Sequence, residues 1–306
     1  MSEAIAMLTG FAAAAIRIST PLLLAATGEL INERAGVINL GIEGAMLAGA
    51  LASALGATAG GPWLGVLCGI GAGLLVALAF AAVAIGARAD QVITGTAITL
   101  GCVGLTGALY RTAFGPGGPG LSIPTLPPWG VPGLRGLPVL GPALFEQPVL
   151  TYLAWLLVPA TGWFLFRSWW GLALRATGES AEAAMASGVP VRRVQLLATL
   201  AGGGFAGLAG ATLVLAQVGT FAEKMTAGRG FIAIAIVVLG RWRPAGVLLA
   251  ALLFGAASAL QFAFQAMGLR VPYQLFLVMP YLLALLALAG GAGRAGAPSG
   301  LGTRQL

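Results

Sequence analysis

Along the chain, apolar residues run in blocks of roughly 20, the length a helix needs to cross the hydrocarbon core of a bilayer, and polar residues collect in the gaps. The blocks predict nine transmembrane helices, near 5–31, 37–58, 63–87, 91–113, 148–166, 194–218, 228–241, 245–267 and 273–290, with eight to ten compatible with the same pattern. The first block follows Glu3 rather than a basic run and reaches no small-residue cleavage site, so it is expected to remain in the protein. The expected fold is all-α, a single polytopic membrane domain over residues 1–306.

Basic residues in short loops set the orientation. With the N-terminus outside, the inner side holds Arg34, Arg88, Arg167, Arg175, Arg192, Arg193, Arg241, Arg243, Arg294 and Arg304, and the outer side only Arg111, Arg135, Lys224, Arg229 and Arg270. Arg17 fits neither group and is expected at the outer interface. Residues 114–147 interrupt the pattern with eight prolines, which forbid a continuous helix and predict an extracytoplasmic loop. Trp129, and charge limited to Arg135 and Glu146, suggest that this loop folds back over the bundle mouth, either to dock an external partner or as a passive lid.

Composition narrows the function. Of the 306 residues 58% are apolar and 8% charged, which excludes an ordinary soluble domain. The net charge of +7 is scattered between apolar runs rather than gathered on a polar face, so the bilayer and not a nucleic acid is the expected partner. Histidine is absent, Asp90 is the sole aspartate and Lys224 the sole lysine, leaving no means for a Ser-His-Asp triad or a His metal site. No catalytic or metal residues are therefore expected. Cys68 and Cys102 read as small core residues. The 48 glycines point to close helix packing, with Gly65, Gly69 and Gly73 repeating at four, as do Gly203, Gly207 and Ala211.

Three segments are candidates for function. The inner loop 167–193 contains a short helix near 181–187, with Ser180 as cap, Gly188 as end and Pro190 as stop. Its face of Ala181, Ala184 and Met185 could enter a groove on another protein, with Glu179 and Glu182 at its start; an interfacial helix flanked by Trp169 and Trp170 is the plainer reading. The stretch 28–44, GELINERAGVINLGIEG, concentrates Glu29, Glu33, Arg34 and Glu43 among glycines, either as a hinge or gate or as a turn between helices. Buried acids there should pair, and Arg34 with Glu33 or Glu43 is the expected pair. Two polar sets could line a solute path or simply bond between helices: Gln91, Thr94, Thr96 and Thr99, and the row Ser258, Gln261 and Gln265.

These segments carry a resemblance. Asn32-Glu-Arg-Ala-Gly-Val-Ile-Asn-Leu-Gly-Ile-Glu-Gly44, the loop from Ala173 to Gly188, and Gly228-Arg-Gly-Phe-Ile-Ala-Ile-Ala-Ile236 resemble permease subunits of bacterial ABC importers, in the nucleoside and simple-sugar branch related to the ribose and branched-chain amino acid permeases. The resemblance covers about Pro21 to Leu288. It implies that Gly178, Glu179, Glu182, Ala183, Ala184, Ser187 and Gly188 belong to a coupling helix docking on a cytoplasmic ABC ATPase. It also implies that Asn32, Glu33, Arg34, Gly36, Asn39, Gly41, Glu43 and Gly44 form a gate motif, and that a second permease subunit and an extracytoplasmic substrate-binding lipoprotein complete the assembly in the inner membrane. The chain itself then needs no cofactor: a Walker A loop requires Gly-Lys-Ser/Thr, the sole lysine lies in Glu223-Lys224-Met225, and ATP-Mg belongs to the partner. Gly-interrupted segments at 28–44 and 219–243 agree with inverted-repeat-like halves. The alternative is a proton-coupled secondary transporter using Glu29, Glu33, Glu43 or Asp90.

Overall fold

The computed structural model describes residues 2–115, 123–134, 140–266, 278, 282 and 296–302. In chain order, α1 (Ser2–Arg34), α2 (Ile42–Gly60), α3 (Pro62–Ala81, extended by a π turn at Ala82–Gly86) and α4 (Gln91–Phe114) precede the loop that follows Phe114. The loop contains β1 (Pro128–Gly130), the short helix α5 (Leu140–Leu144) and β2 (Glu146–Pro148). Then come α6 (Val149–Arg167), α7 (Trp169–Glu179), α8 (Ala181–Ala186), α9 (Val191–Thr212, continued as π helix to Val218), α10 (Arg229–Leu239) and α11 (Pro244–Ala266).

Seven of these helices are long and apolar enough to cross a bilayer, and they match the first six predicted spans and 245–267 to within a few residues at most ends. The largest shift is at α2, which starts at Ile42 and not at 37. The span expected at 228–241 is instead the eleven-residue α10. At 1.5 Å per residue it covers about 17 Å, roughly half the hydrocarbon thickness. The span expected at 273–290 lies outside the described residues apart from Val278 and Leu282.

The core sits where α1, α2, α3 and α9 meet. Glycine makes this packing possible: a Cβ on Gly49 of α2 would stand 2.6 Å from the Gly207 α-carbon of α9, and Gly69 and Gly73 of α3 press against the same Gly207. Backbones therefore touch along the repeats noted in the sequence, within this one subunit. Pro21, inside α1, cannot donate to the carbonyl four residues back; the Gln217 amide of the π helix donates to that Arg17 carbonyl instead. Arg17 itself is exposed.

The described part of this loop folds back on the bundle. The Ile123 and Leu126 amides donate to the Gly219 and Leu215 carbonyls at 3.1 and 2.9 Å. β1 pairs antiparallel with β2, Trp129 opposite Gln147, and the Tyr152 hydroxyl ties the pair to α6 by donating to the Trp129 carbonyl at 3.0 Å.

Candidate functional site

Helix α1 ends at Arg34, and Gly36 turns the chain at φ +83°, a conformation that a side chain would strain. Residues 37–41 are then non-helical although the flanking helices are membrane spans, so their backbone groups need partners from side chains. They have them. The Ile38 amide donates to Gln91 Oε1 at 2.8 Å, the Asn39 amide to Glu29 Oε1 at 3.0 Å, and the Gly41 amide to Asn39 Oδ1 at 2.9 Å, while Thr99 Oγ1 donates to the Leu40 carbonyl at 2.9 Å. The second Glu29 oxygen accepts from Asn32 Nδ2 at 2.8 Å. Gly41 and Gly44 admit α4 closely: a Cβ on Gly44 would lie 2.9 Å from the Thr99 α-carbon.

A second break runs from Gly219 to Gly228, and it meets the first at Glu43. The Glu43 carboxylate, buried at the start of α2, accepts from Thr226 Oγ1 at 2.6 Å, the Gly228 amide at 2.8 Å and the Gly230 amide at 2.6 Å. It thereby caps the N-terminus of α10, where negative charge is stabilised by unsatisfied amides and the helix dipole. Two interruptions joined by bonds that span 183 to 187 residues of sequence thus meet at one carboxylate, a juxtaposition that only the glycine spacing of the two segments hinted at.

The surroundings of Arg34 depart from expectation. Arg34 does not pair with Glu33 or Glu43: its Nε and Nη2 donate to the Trp242 carbonyl at 2.9 and 2.6 Å, and its guanidinium lies 5.9 Å from the Phe166 ring centroid. Glu33 accepts from the Trp242 indole N–H. Arg241 and Trp242 both adopt positive φ, at 54° and 53°, rare for bulky residues, and this strained turn aims the buried indole at Glu33. Backbone and indole donors satisfy these carboxylates, so no guanidinium partner is required. Trp242 lay between two arginines in the sequence and gave no sign of this role.

In the segment 167–193, Ser180 Oγ accepts from the Ala183 amide at 3.3 Å, α8 runs for six residues, and Gly188 turns away at φ +82°. Ala184 faces inward and is buried, so the expected outward face of Ala181, Ala184 and Met185 is corrected. The exposed residues are Glu182, Ala183, Met185, Ala186, Ser187 and Gly188. Gly178 is also buried, packed on the Arg34 carbonyl and Gly36. A segment that sequence reading overlooked closes this corner: the Gly300 amide donates to the Gly178 carbonyl at 2.9 Å, the Gly302 amide to the Gly36 carbonyl at 3.3 Å, and Ser299 donates from Oγ and N to Glu179 at 3.0 and 3.2 Å. The end of α7, the chain break and residues 296–302 are one hydrogen-bonded unit.

The two polar sets are not brought together. Gln91, Thr94 and Thr99 are buried on α4, which packs on α2 and α3, whereas α11 packs on α1, α10 and α6. Ser258 Oγ donates to its own helix at the Phe254 carbonyl, Gln261 is half-buried, and the Gln265 side chain lies outside the described residues. Among the described residues no cluster of His, Cys, Asp or Glu could hold a metal ion.

Comparison with known proteins agrees with this architecture. Residues 11–288 match the family described as the branched-chain amino acid transport system permease component. A Haloferax volcanii protein provisionally named a glucose ABC transporter permease is 44% identical over 86% of this chain and 80% of its own. A guanosine ABC transporter permease of Bacillus subtilis is 36% identical over 93% and 92%, and a nucleoside ABC transporter permease of Lactococcus lactis is 32% identical over 94% of each. No solved structure matches. The chain therefore belongs to the branched-chain amino acid transport system permease family, as a multi-pass inner-membrane subunit of an ABC transporter whose ATP hydrolysis resides on a separate subunit.

Proposed function

We propose that this permease carries a nucleoside or a simple sugar into the cytoplasm, paired with a second, non-identical permease and supplied by an extracytoplasmic substrate-binding lipoprotein. The observation that carries the cargo assignment is the named cargo of relatives aligned over nearly the whole chain: guanosine, nucleosides and glucose. Nine crossings remain the reading of the topology, with the broken segment 219–243 that holds α10 counted as one of them. Its support is that residues 296–302 bond to Gly36 and Gly178, at the end of the bundle where α11 begins, although α11 runs 23 residues away from that end.

The same reading gives each site a part. The exposed edge of α8 meets the ATPase. Gly178, one residue before Glu179 and packed on Arg34 and Gly36, passes its displacement to the break at 35–41, and Glu43 links that break to α10. Gln91 and Thr99 hold the break in shape, and the α11 row Ser258, Gln261 and Gln265 contacts solute. Uptake of labelled guanosine and glucose by cells lacking and regaining this chain tests the cargo. Accumulation of either should depend on the chain; dependence of neither would overturn the assignment. Glu182→Arg should abolish uptake and co-purification of the ATPase while membrane insertion persists, and unchanged uptake would remove α8 from the docking role.

A further inference from the structure

We propose that the inner end of the α3–α9 groove is a binding site for one anionic phospholipid, its acyl chain in the groove and its phosphate on Arg192 and Arg193. Between the two helices lies a cavity of about 340 Å³ whose lining is almost wholly apolar. Leu78, Ala82 and Ile85 supply one wall, spaced to fall on one face of α3 and its terminal π turn, and Leu196 of α9 supplies the other. The cavity is an acyl-chain environment: it opens beside membrane-spanning segments and offers a soluble solute few polar groups to bind.

Charge decides which lipid fits. Arg192 and Arg193 line the cavity at the start of α9, both exposed, and neither side chain makes a hydrogen bond or ion pair with a described residue. The first turn of α9 carries no acid, so nothing in that turn offsets the two cations, and the amide end of the helix adds further positive character. Arg88, two residues beyond the π turn, follows on the neighbouring element and is exposed. Positive charge capping an apolar slot at the basic end of a membrane bundle matches an anionic headgroup carrying its own chain. A zwitterionic lipid offers the same chain with a compensated head and gains little from these arginines.

The site is tested on the purified transporter complex by native mass spectrometry, titrating phosphatidylglycerol, phosphatidylcholine and glycerol 3-phosphate. The wild type should retain one phosphatidylglycerol in preference to phosphatidylcholine. Arg192→Gln with Arg193→Gln should reduce its apparent affinity about tenfold or more, judging from the attraction of each basic residue to anionic lipid, whereas Arg192→Lys with Arg193→Lys should keep most of it. Ala82→Trp, which leaves both arginines in place and fills the groove, should also displace the lipid; this second variant guards against a double mutant that merely misfolds. Equal retention of the two lipids, or unchanged phosphatidylglycerol binding in both the Gln and Trp variants, overturns the proposal. Competition by glycerol 3-phosphate as effective as the lipid would make this a free-phosphate site and overturn it. Loss of ATPase co-purification in the Gln variant with lipid retention intact would assign the arginines to the ATPase and overturn it equally.

Discussion

Glu43 and Gly230 touch at backbone distance: the carboxylate accepts the Gly230 amide at 2.6 Å, and a Cβ on Gly230 would stand 2.6 Å from the Glu43 α-carbon. Acceptor and missing side chain are two requirements of one contact, since the α10 amides reach the carboxylate only because nothing projects from Gly230. Glu43→Ala strands three donors in a buried setting, at about 1–3 kcal/mol each. It should lower the thermal midpoint of the purified complex by several degrees and uptake by more than tenfold. Gly230→Ala should act at least as strongly through collision with the α2 backbone. Tm in detergent and uptake in proteoliposomes measure both, and wild-type values for either variant would exclude this contact from the mechanism.

Gln217 and Pro21 should be energetically coupled. Gln217 donates to the Arg17 carbonyl that Pro21 leaves without its usual helical donor. Replacing Gln217 by Ala should cost on the order of 1 kcal/mol when Pro21 is present. After Pro21→Ala the helix can satisfy Arg17 itself, and the same replacement should become nearly neutral. A double-mutant cycle on thermal stability reads the coupling directly; equal effects in both backgrounds would break the link.

Adjacent alanines in α8 should behave in opposite ways. Ala183 is exposed and Ala184 is 3% exposed. Ala183→Trp should leave stability within about 0.5 kcal/mol of wild type yet abolish ATPase co-purification. Ala184→Trp should overpack its site by about 1–3 kcal/mol or more and show chiefly as lowered Tm and yield. Folding and docking should thus separate one residue apart.

Outside the membrane spans, Glu223 introduces an acid-range dependence. Its carboxylate accepts from Arg111 Nε and Nη2, each at 2.7 Å, and this bidentate bond holds the carboxyl below its ordinary value of 4.5. A depressed folded-state value means that the stabilisation is complete above that ordinary value and is lost as pH falls through the folded-state value. The Tm difference between wild type and Glu223→Gln should therefore be flat from neutral pH to about 5 and vanish below. Because both groups are at the surface, salt should shrink it. A difference that widens in acid would reverse the assignment.

Much of this architecture could be read from the chain because membrane spans depend on composition within a window, and the two broken segments on clustered glycine. The α8 cap was equally local: Ser180, Gly188 and Pro190 act within one turn of themselves. Partners were less legible. Arg34 turned to Trp242, 208 residues away, because how each helix rotates about its axis is set by packing against the others. The same cause hid the inward rotation of Ala184 and the use of Gln91 and Thr99 on the backbone at 38–40. Residues 296–302 escaped notice because a short glycine-rich segment that bonds mostly through its own amides, with Ser299 its one polar side chain, has almost no side-chain signature.

The glycine contacts among α2, α3 and α9 also carry an evolutionary consequence. At Gly49, Gly73 and Gly207 each backbone is the other's wall, so even a methyl group must displace a helix. The outward side of α4, where Ile93, Leu100 and Leu105 are more than half exposed, has no such limit. Lineages of this permease should therefore drift freely in the choice of aliphatic residue along one surface while remaining nearly frozen along the glycine seam.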